Sequence, residues 1–374
     1  MPPCGVLDRE RLTNYPRIFI ALYVLIGGWW LMTGPGLLDR GGTPIGGDFV
    51  TFYAAADMLR VEPAAALYDV ERLHVYEQAV IGAEIERLAW HYPPPGMLAA
   101  WPLALVPFLV ALAGWTLASL GAFIGVVRHI DREPVVLGLA LAFPGLFQNL
   151  MHGQNGCFSL ALLAGALLLV SRPTLGGLLL GLLVYKPHLM PLAALALLAG
   201  RHWRALGGMV ASAGAFCLLS SVLGGWPAFF DNLDFAWRVL TEGGVDVAKV
   251  PTMMGATLLA GVPVQVGRVI HLLWAGVAAG LVCWAFWKRA PLRAGALAAG
   301  ALLTTPFSFE YDLVIMALPL LLIGREREPA DTPLLVIGWV TPLAFPGLAH
   351  LVPVQLTPLV LMWILWRCTR SADG

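Results

Sequence analysis

Charge is what this 374-residue chain has least of. Asp, Glu, Lys and Arg together make up 12% of it, whereas hydrophobic residues reach 59% and mean hydropathy is +0.77. A soluble domain carries about twice that charged fraction, so a water-soluble globular protein is excluded and an integral membrane protein is expected. The few charges cancel, 23 basic against 23 acidic, which leaves no basic field to hold nucleic acid. Cysteine is scarce and scattered: Cys4, Cys157, Cys217, Cys283 and Cys368 show no CxxC or ligand spacing, so they read as packing residues rather than disulfides or ligands. The outer carboxylates show no Asp-x-Asp spacing, and neither a metal nor another cofactor is expected. No internal repeat, low-complexity run or linker divides the chain, so residues 1–374 read as one membrane domain. The first apolar run follows Arg9, Arg11 and Arg17 and lacks a small-x-small cleavage pattern before Asp39. It reads as an uncleaved signal anchor with the amino terminus inside.

What the chain does have is about twelve apolar segments of helical, bilayer-crossing character, which makes it an all-α polytopic membrane protein. Arg128 with Arg132, Arg172, Arg201 with Arg204, Lys288 with Arg289 and Arg293, Arg325 with Arg327, and Arg367 with Arg370 each sit in a short connection or tail. The positive-inside bias makes all of these cytoplasmic, together with both termini. Segments then pair as 134–151 with 155–171, 174–186 with 188–200, 204–224 with 265–288, 291–306 with 310–324, and 331–347 with 351–367. Parity places the intervening turns, the stretch 39–92 and the loop 225–264 outside. Residues 93–127 hold apolar residues for two passes where parity allows one. We read 95–105 as a short helix in the outer leaflet and 107–127 as the span; such irregular backbone is tolerated where it lines a protein cavity. The stretch 39–92, with Phe49, Phe52, Tyr53 and Ala56 and then Val70, Leu73 and Val80 at helical spacing, predicts two amphipathic helices on the membrane surface, broken at Glu62-Pro63.

The outer turns share a property: each gathers polar or ionisable residues, which are costly at the membrane and therefore candidates for a site. Asp48 follows two glycines and precedes a helix, where it would also serve as an N-cap. His152, Gln154 and Asn155 form a turn preceded by Gln148 and Asn149, more amide than capping needs, although Asn155 could cap the next span. Lys186 either snorkels from a helix end or binds an anion, and an outer lysine against the positive-inside bias favours the anion. His188 stands two residues on. His91 and Tyr92 are either site residues or part of an aromatic belt. Glu310 and Asp312 either accept from substrate hydroxyls or cap the following helix.

The order Gly46-Gly47-Asp48-Phe49, Leu67-Tyr68-Asp69, Tyr92-Pro93-Pro94, His152-Gly153-Gln154-Asn155, Lys186-Pro187 and Thr305-Pro306-Phe307-Ser308-Phe309 resembles glycosyltransferase family 87 over roughly residues 46–312. The resemblance implies a GT-C fold and an inverting transfer of a sugar, such as mannose, from a polyprenyl-phosphate donor to a lipid or glycan acceptor at the outer membrane face. It matches Asp48 to the family's catalytic base. A sugar hydroxyl is a poor nucleophile and needs a carboxylate to take its proton, while a phosphodiester leaving group needs only cations or donors for its developing charge. Lys186, His188 and His152 are the residues suited to that phosphate, and Tyr92, Gln154, Asn155, Glu310, Tyr311 and Asp312 complete the expected substrate-binding set. The chain departs from the family at Phe309-Glu310-Tyr311-Asp312, where mannosyltransferase members carry an aromatic-Asp-His-His run, so neither a histidine phosphate contact there nor mannose follows. The alternative reading is a polyprenyl-phosphate-sugar transporter or flippase. Transporters place charges near the midplane on broken helices and show repeats, whereas these polar groups gather at helix ends on one side.

Overall fold

A computed structural model describes residues 9–370 except 225–226, 243–245, 307 and 327. Cys4, Arg327, Phe307 and parts of the outer loop 225–264 therefore lie outside the described residues. Every predicted crossing is helical. The chain opens with Arg9–Met32, and Phe108–Ile130, Trp203–Gly224, Val264–Trp287 and Thr332–Leu351 follow as the other long helices. Shorter helical segments occupy the remaining predicted spans.

Length is where the expectation of about twelve transmembrane helices fails to carry over. Among the described residues five helices are long and apolar enough to cross a bilayer, or six if Pro134–Leu141 and Pro144–Met151, bent by 50°, count as one. The bend falls at Pro144, whose ring cannot continue the helix hydrogen-bonding pattern. Gly156–Leu168, Pro173–Tyr185, Pro187–Ala199 and Arg293–Thr304 are apolar but only 10–17 residues long. At 1.5 Å per residue such helices cover roughly 15–25 Å of a hydrocarbon core about 30 Å thick. Hydropathy reports how apolar a segment is, not whether its far end is shielded by protein. One of them is enclosed by protein: Ala294 to Leu303 of Arg293–Thr304 are all buried, a run of small residues around which neighbouring helices close. Polar groups at the end of such a helix are tolerated where they line protein rather than lipid.

Polar groups gather at two sets of helix ends. At one end Arg325 donates to the Ile130 carbonyl at 3.0 Å, and Arg367 from the last helix forks onto Asp331 at 2.7 and 2.9 Å, with Glu328 at 3.0 Å. At the other end the turns around residues 48, 152, 186 and 312 meet.

Two apolar cores flank that meeting point. The larger joins the membrane helices, from Phe123 through Leu160, Leu183 and Leu297 to Ile364. The smaller is built from the first outer stretch, with Phe49, Phe52, Met58, Leu73 and Trp90, the helix Pro94–Ala100 expected at 95–105, the start of Phe108–Ile130, and Phe235 of the helix Pro227–Glu242. This second core corrects the reading of 39–92 as surface amphipathic helices. Phe49–Met58 is buried on nearly every side, and Val70–Ile81 turns Leu73, His74, Glu77 and Ile81 inward against it. The helical spacing was right, but the apolar face meets protein rather than lipid. Glu77, fully buried, accepts from Thr51 Oγ1 at 2.8 Å and pins the two helices together.

Candidate active site

The site is assembled from two turns that touch through their backbones. Gly47 (φ +53°) and Gly153 (φ +57°) both take left-handed conformations, and a Cβ on Gly153 would fall 2.3 Å from the Gly46 carbonyl oxygen. Only glycine allows this approach. The contact is sealed by the Asp48 N–H donating to the His152 carbonyl at 3.1 Å, and by Trp115 Nε1 donating to the Gly153 carbonyl at 2.9 Å.

Asp48 occupies the N-cap position of Phe49–Met58, but its backbone is helical (φ −68°, ψ −6°) and its side chain makes no capping bond. The carboxylate instead accepts from Gln154 Nε2 at 2.7 Å. Gln154 accepts in turn from the Tyr92 hydroxyl at 3.2 Å. Burial first, and then the charges of Asp312 and Asp48, hold the Tyr92 phenol well above its ordinary range, so it stays a donor. Tyr92 packs between Phe52 and Trp90, at 5.3 and 5.2 Å between ring centroids, and stacks towards Tyr185 at 6.4 Å. It belongs to the smaller core rather than to an aromatic belt. His91 is exposed, with its ring 5.4 Å from Phe235.

Asn155 heads Gly156–Leu163 without capping it; its side-chain oxygen accepts from Lys186 Nζ at 3.1 Å. Lys186 is 5% exposed, which removes the snorkelling reading, and its ammonium is paired with Asp312 Oδ1 at 2.5 Å. Asp312, 2% exposed, also accepts from the Phe309 N–H at 3.5 Å, so it serves both as a helix-start acceptor and as the counter-ion of Lys186. The other acid of the pair behaves differently: Glu310 has His152 Nε2 at 3.6 Å, and the His152 ring lies 5.9 Å from Tyr311. His188 Nε2 is buried without a hydrogen-bond partner.

Two of the amides that had suggested a substrate-rich turn are structural. Gln148 donates to the Pro342 carbonyl at 2.8 Å. Asn149, fully buried, spans the Gln154 carbonyl and the Gly156 N–H at 3.1 and 2.9 Å with its amide turned to satisfy both. Three residues escaped the sequence reading: Tyr185, whose hydroxyl meets Ser159 Oγ at 2.6 Å and the Asn155 carbonyl at 3.3 Å, together with Ser159 and Trp115. Tyr185 adjoins Lys186 in sequence and could have been found by that adjacency. Trp115 and Ser159 lie inside apolar helices and carry no such signal. Tyr92, Tyr185, Phe52 and Trp115 line a small apolar cavity with Ala99 and Ala100, and Asn155 forms its polar edge.

Sequence comparison bears on this arrangement at one point. The family model for glycosyltransferase family 87 matches residues 90–308, more than half of the chain, which takes in Tyr92 and the turns at 152–155 and 186–188 but neither Asp48 nor Glu310 to Asp312. No curated protein and no solved structure matches it. An all-α membrane chain that carries this match belongs to glycosyltransferase family 87, and is a glycosyltransferase.

Proposed function

We propose that this glycosyltransferase moves a sugar from a polyprenyl-phosphate donor to a hydroxyl acceptor with inversion, using Asp48 as general base. The observation that carries the reading is the pair Gln154 and Asn155. These consecutive residues of one turn hold, respectively, the partly exposed carboxylate of Asp48 and the buried ammonium of Lys186. A single displacement at C1 needs such an arrangement, with a proton acceptor towards the incoming hydroxyl and a positive group towards the departing phosphate. The acceptor proton passes to Asp48, the acceptor oxygen bonds to C1, and the C1–O bond to phosphate breaks with its electron pair leaving on the phosphate. Lys186 uses two of its three donors on Asn155 and Asp312 and keeps one for that phosphate. His188 beside it, with an unpartnered Nε2, is the second phosphate contact. His152, Glu310 and Tyr311 border the acceptor side. The arginine-rich helix ends are at the opposite end of the helices, which supports an extracytoplasmic site under the positive-inside bias. Mannose is one candidate sugar.

The test is Asp48→Asn, which keeps size and a hydrogen-bonding oxygen while removing the proton acceptor. With polyprenyl-phosphate mannose and polyprenyl-phosphate glucose as donors, turnover is expected to fall about a hundredfold or more while donor binding persists. A folded Asp48→Asn variant with normal transfer removes Asp48 as the base. A parent protein that binds both lipids and transfers neither sugar points to the flippase reading.

A further inference from the structure

Gln154 stands between the proposed base and the smaller core, and the way its amide is held suggests a role that substrate contact does not explain. Its side chain is 5% exposed. The amide nitrogen donates to Asp48 Oδ2 at 2.7 Å, and the amide oxygen accepts from the Tyr92 hydroxyl at 3.2 Å. The reverse orientation would set the amide oxygen against a carboxylate, so charge on one side and a phenol donor on the other select a single rotamer.

Each end of the relay is anchored independently. Tyr92 is packed among Phe52 and Trp90, and its carbonyl accepts from the Tyr68 hydroxyl at 3.0 Å. The Gln154 backbone N–H donates to the Asn149 carbonyl at 3.0 Å, and Gly153 locks the turn against Gly46. Asp48 has no capping bond to fix its carboxylate. Its other oxygen, Oδ1, makes no hydrogen bond among the described residues. We infer that Gln154 is a positioning residue: oriented by Tyr92, it holds Asp48 Oδ2 so that Oδ1 is the oxygen that receives the acceptor proton. The inference rests on Asp48 being the base. In the reaction the proton moves from the acceptor hydroxyl to Oδ1 while Gln154 keeps its bond to Oδ2. Because that bond is charge-assisted and made by a preorganised donor, its loss leaves the carboxylate free to rotate and lowers turnover rather than affinity.

Gln154→Met preserves length and removes both hydrogen bonds. With polyprenyl-phosphate mannose and polyprenyl-phosphate glucose as probes, kcat is expected to fall about tenfold to a hundredfold with donor KM and donor Kd unchanged. In an Asp48→Asn background the same substitution is expected to cost nothing further, because a residue that acts only through another has no effect once that other is removed. Tyr92→Phe, which leaves the packing intact, is expected to give a smaller fall in kcat that vanishes in the Gln154→Met background. This second cycle decides the matter if Asp48→Asn retains no measurable rate. A rise in donor KM at unchanged kcat, or losses that multiply independently in either cycle, overturns the inference and makes Gln154 a substrate contact. An inactive Asp48→Asn beside a fully active Gln154→Met sinks the positioning role alone, whereas a fully active Asp48→Asn sinks the base on which it depends.

Discussion

Lys186 and Asp312 allow a structural role and a functional role to be separated by measurement. Both are nearly out of solvent, 5% and 2% exposed, and they face each other across the junction of two short helical segments. Cutting a buried pair by removing one partner typically costs about 3–5 kcal/mol, because an uncompensated charge stays behind. Each partner keeps one further bond here, Lys186 to Asn155 and Asp312 to the Phe309 N–H, so the low end, about 3 kcal/mol, is expected for either single change. Lys186→Met and Asp312→Leu should therefore each lower the thermal midpoint in detergent. The double variant should recover most of the loss, because exchanging a buried pair for apolar side chains of similar volume is often neutral. Donor binding separates the second role. If Lys186 also meets the phosphate, the double variant should remain folded yet bind polyprenyl-phosphate sugars about tenfold to a hundredfold more weakly, the worth of one charge-assisted contact. A Lys186→Met variant as stable as the parent would refute the pairing. A stable double variant with normal donor affinity would confine Lys186 to structure.

Two further outcomes test the frame around the site. Single cysteines at Lys249 and Ala330 in a cysteine-free background, both at exposed positions, should differ in intact cells: an impermeant thiol reagent should label the first and not the second. The reverse pattern would move the site to the cytoplasm. Glu77 carries a pH dependence. Burial outweighs its hydrogen bonds with Thr51, His74 and Leu88 and raises its carboxyl above the ordinary 4.5. A raised folded-state value means its contribution is fully present below the ordinary value and is lost as pH climbs through the raised one. Glu77→Gln should flatten the decline of thermal midpoint from pH 4.5 upward. An unchanged slope would mean that Glu77 does not titrate with unfolding.

Much of the helix layout was legible because it depends on local quantities. The expected segments 204–224 and 265–288 emerge as Trp203–Gly224 and Val264–Trp287, and the short helix expected at 95–105 emerges as Pro94–Ala100 with a 3-10 turn behind it. Capping was less legible. Asp48 and Asn155 stand where caps stand, yet both side chains turn to residues from other elements. The composition of a turn shows that its residues can cap, not whether a better partner arrives from elsewhere. Glu310 and Asp312 make the same point: two residues apart and alike in type, they separate into one that faces His152 and one committed to Lys186.

By itself, then, the order of residues determined that the chain lives in a membrane, where its helices run, and that its polar turns share one end of them. Apolarity and charge bias act segment by segment, and the bilayer imposes one direction on all of them. Only the tertiary structure decided that Phe49–Met58 enters a core, that several predicted crossings are helices of only 10–17 residues, and that Gln154 meets Asp48 across 106 positions and Lys186 meets Asp312 across 126. Pairings of that kind depend on helix rotation and depth. One residue along a helix turns a side chain by about 100° and shifts it by about 1.5 Å, so small differences in packing choose the partner.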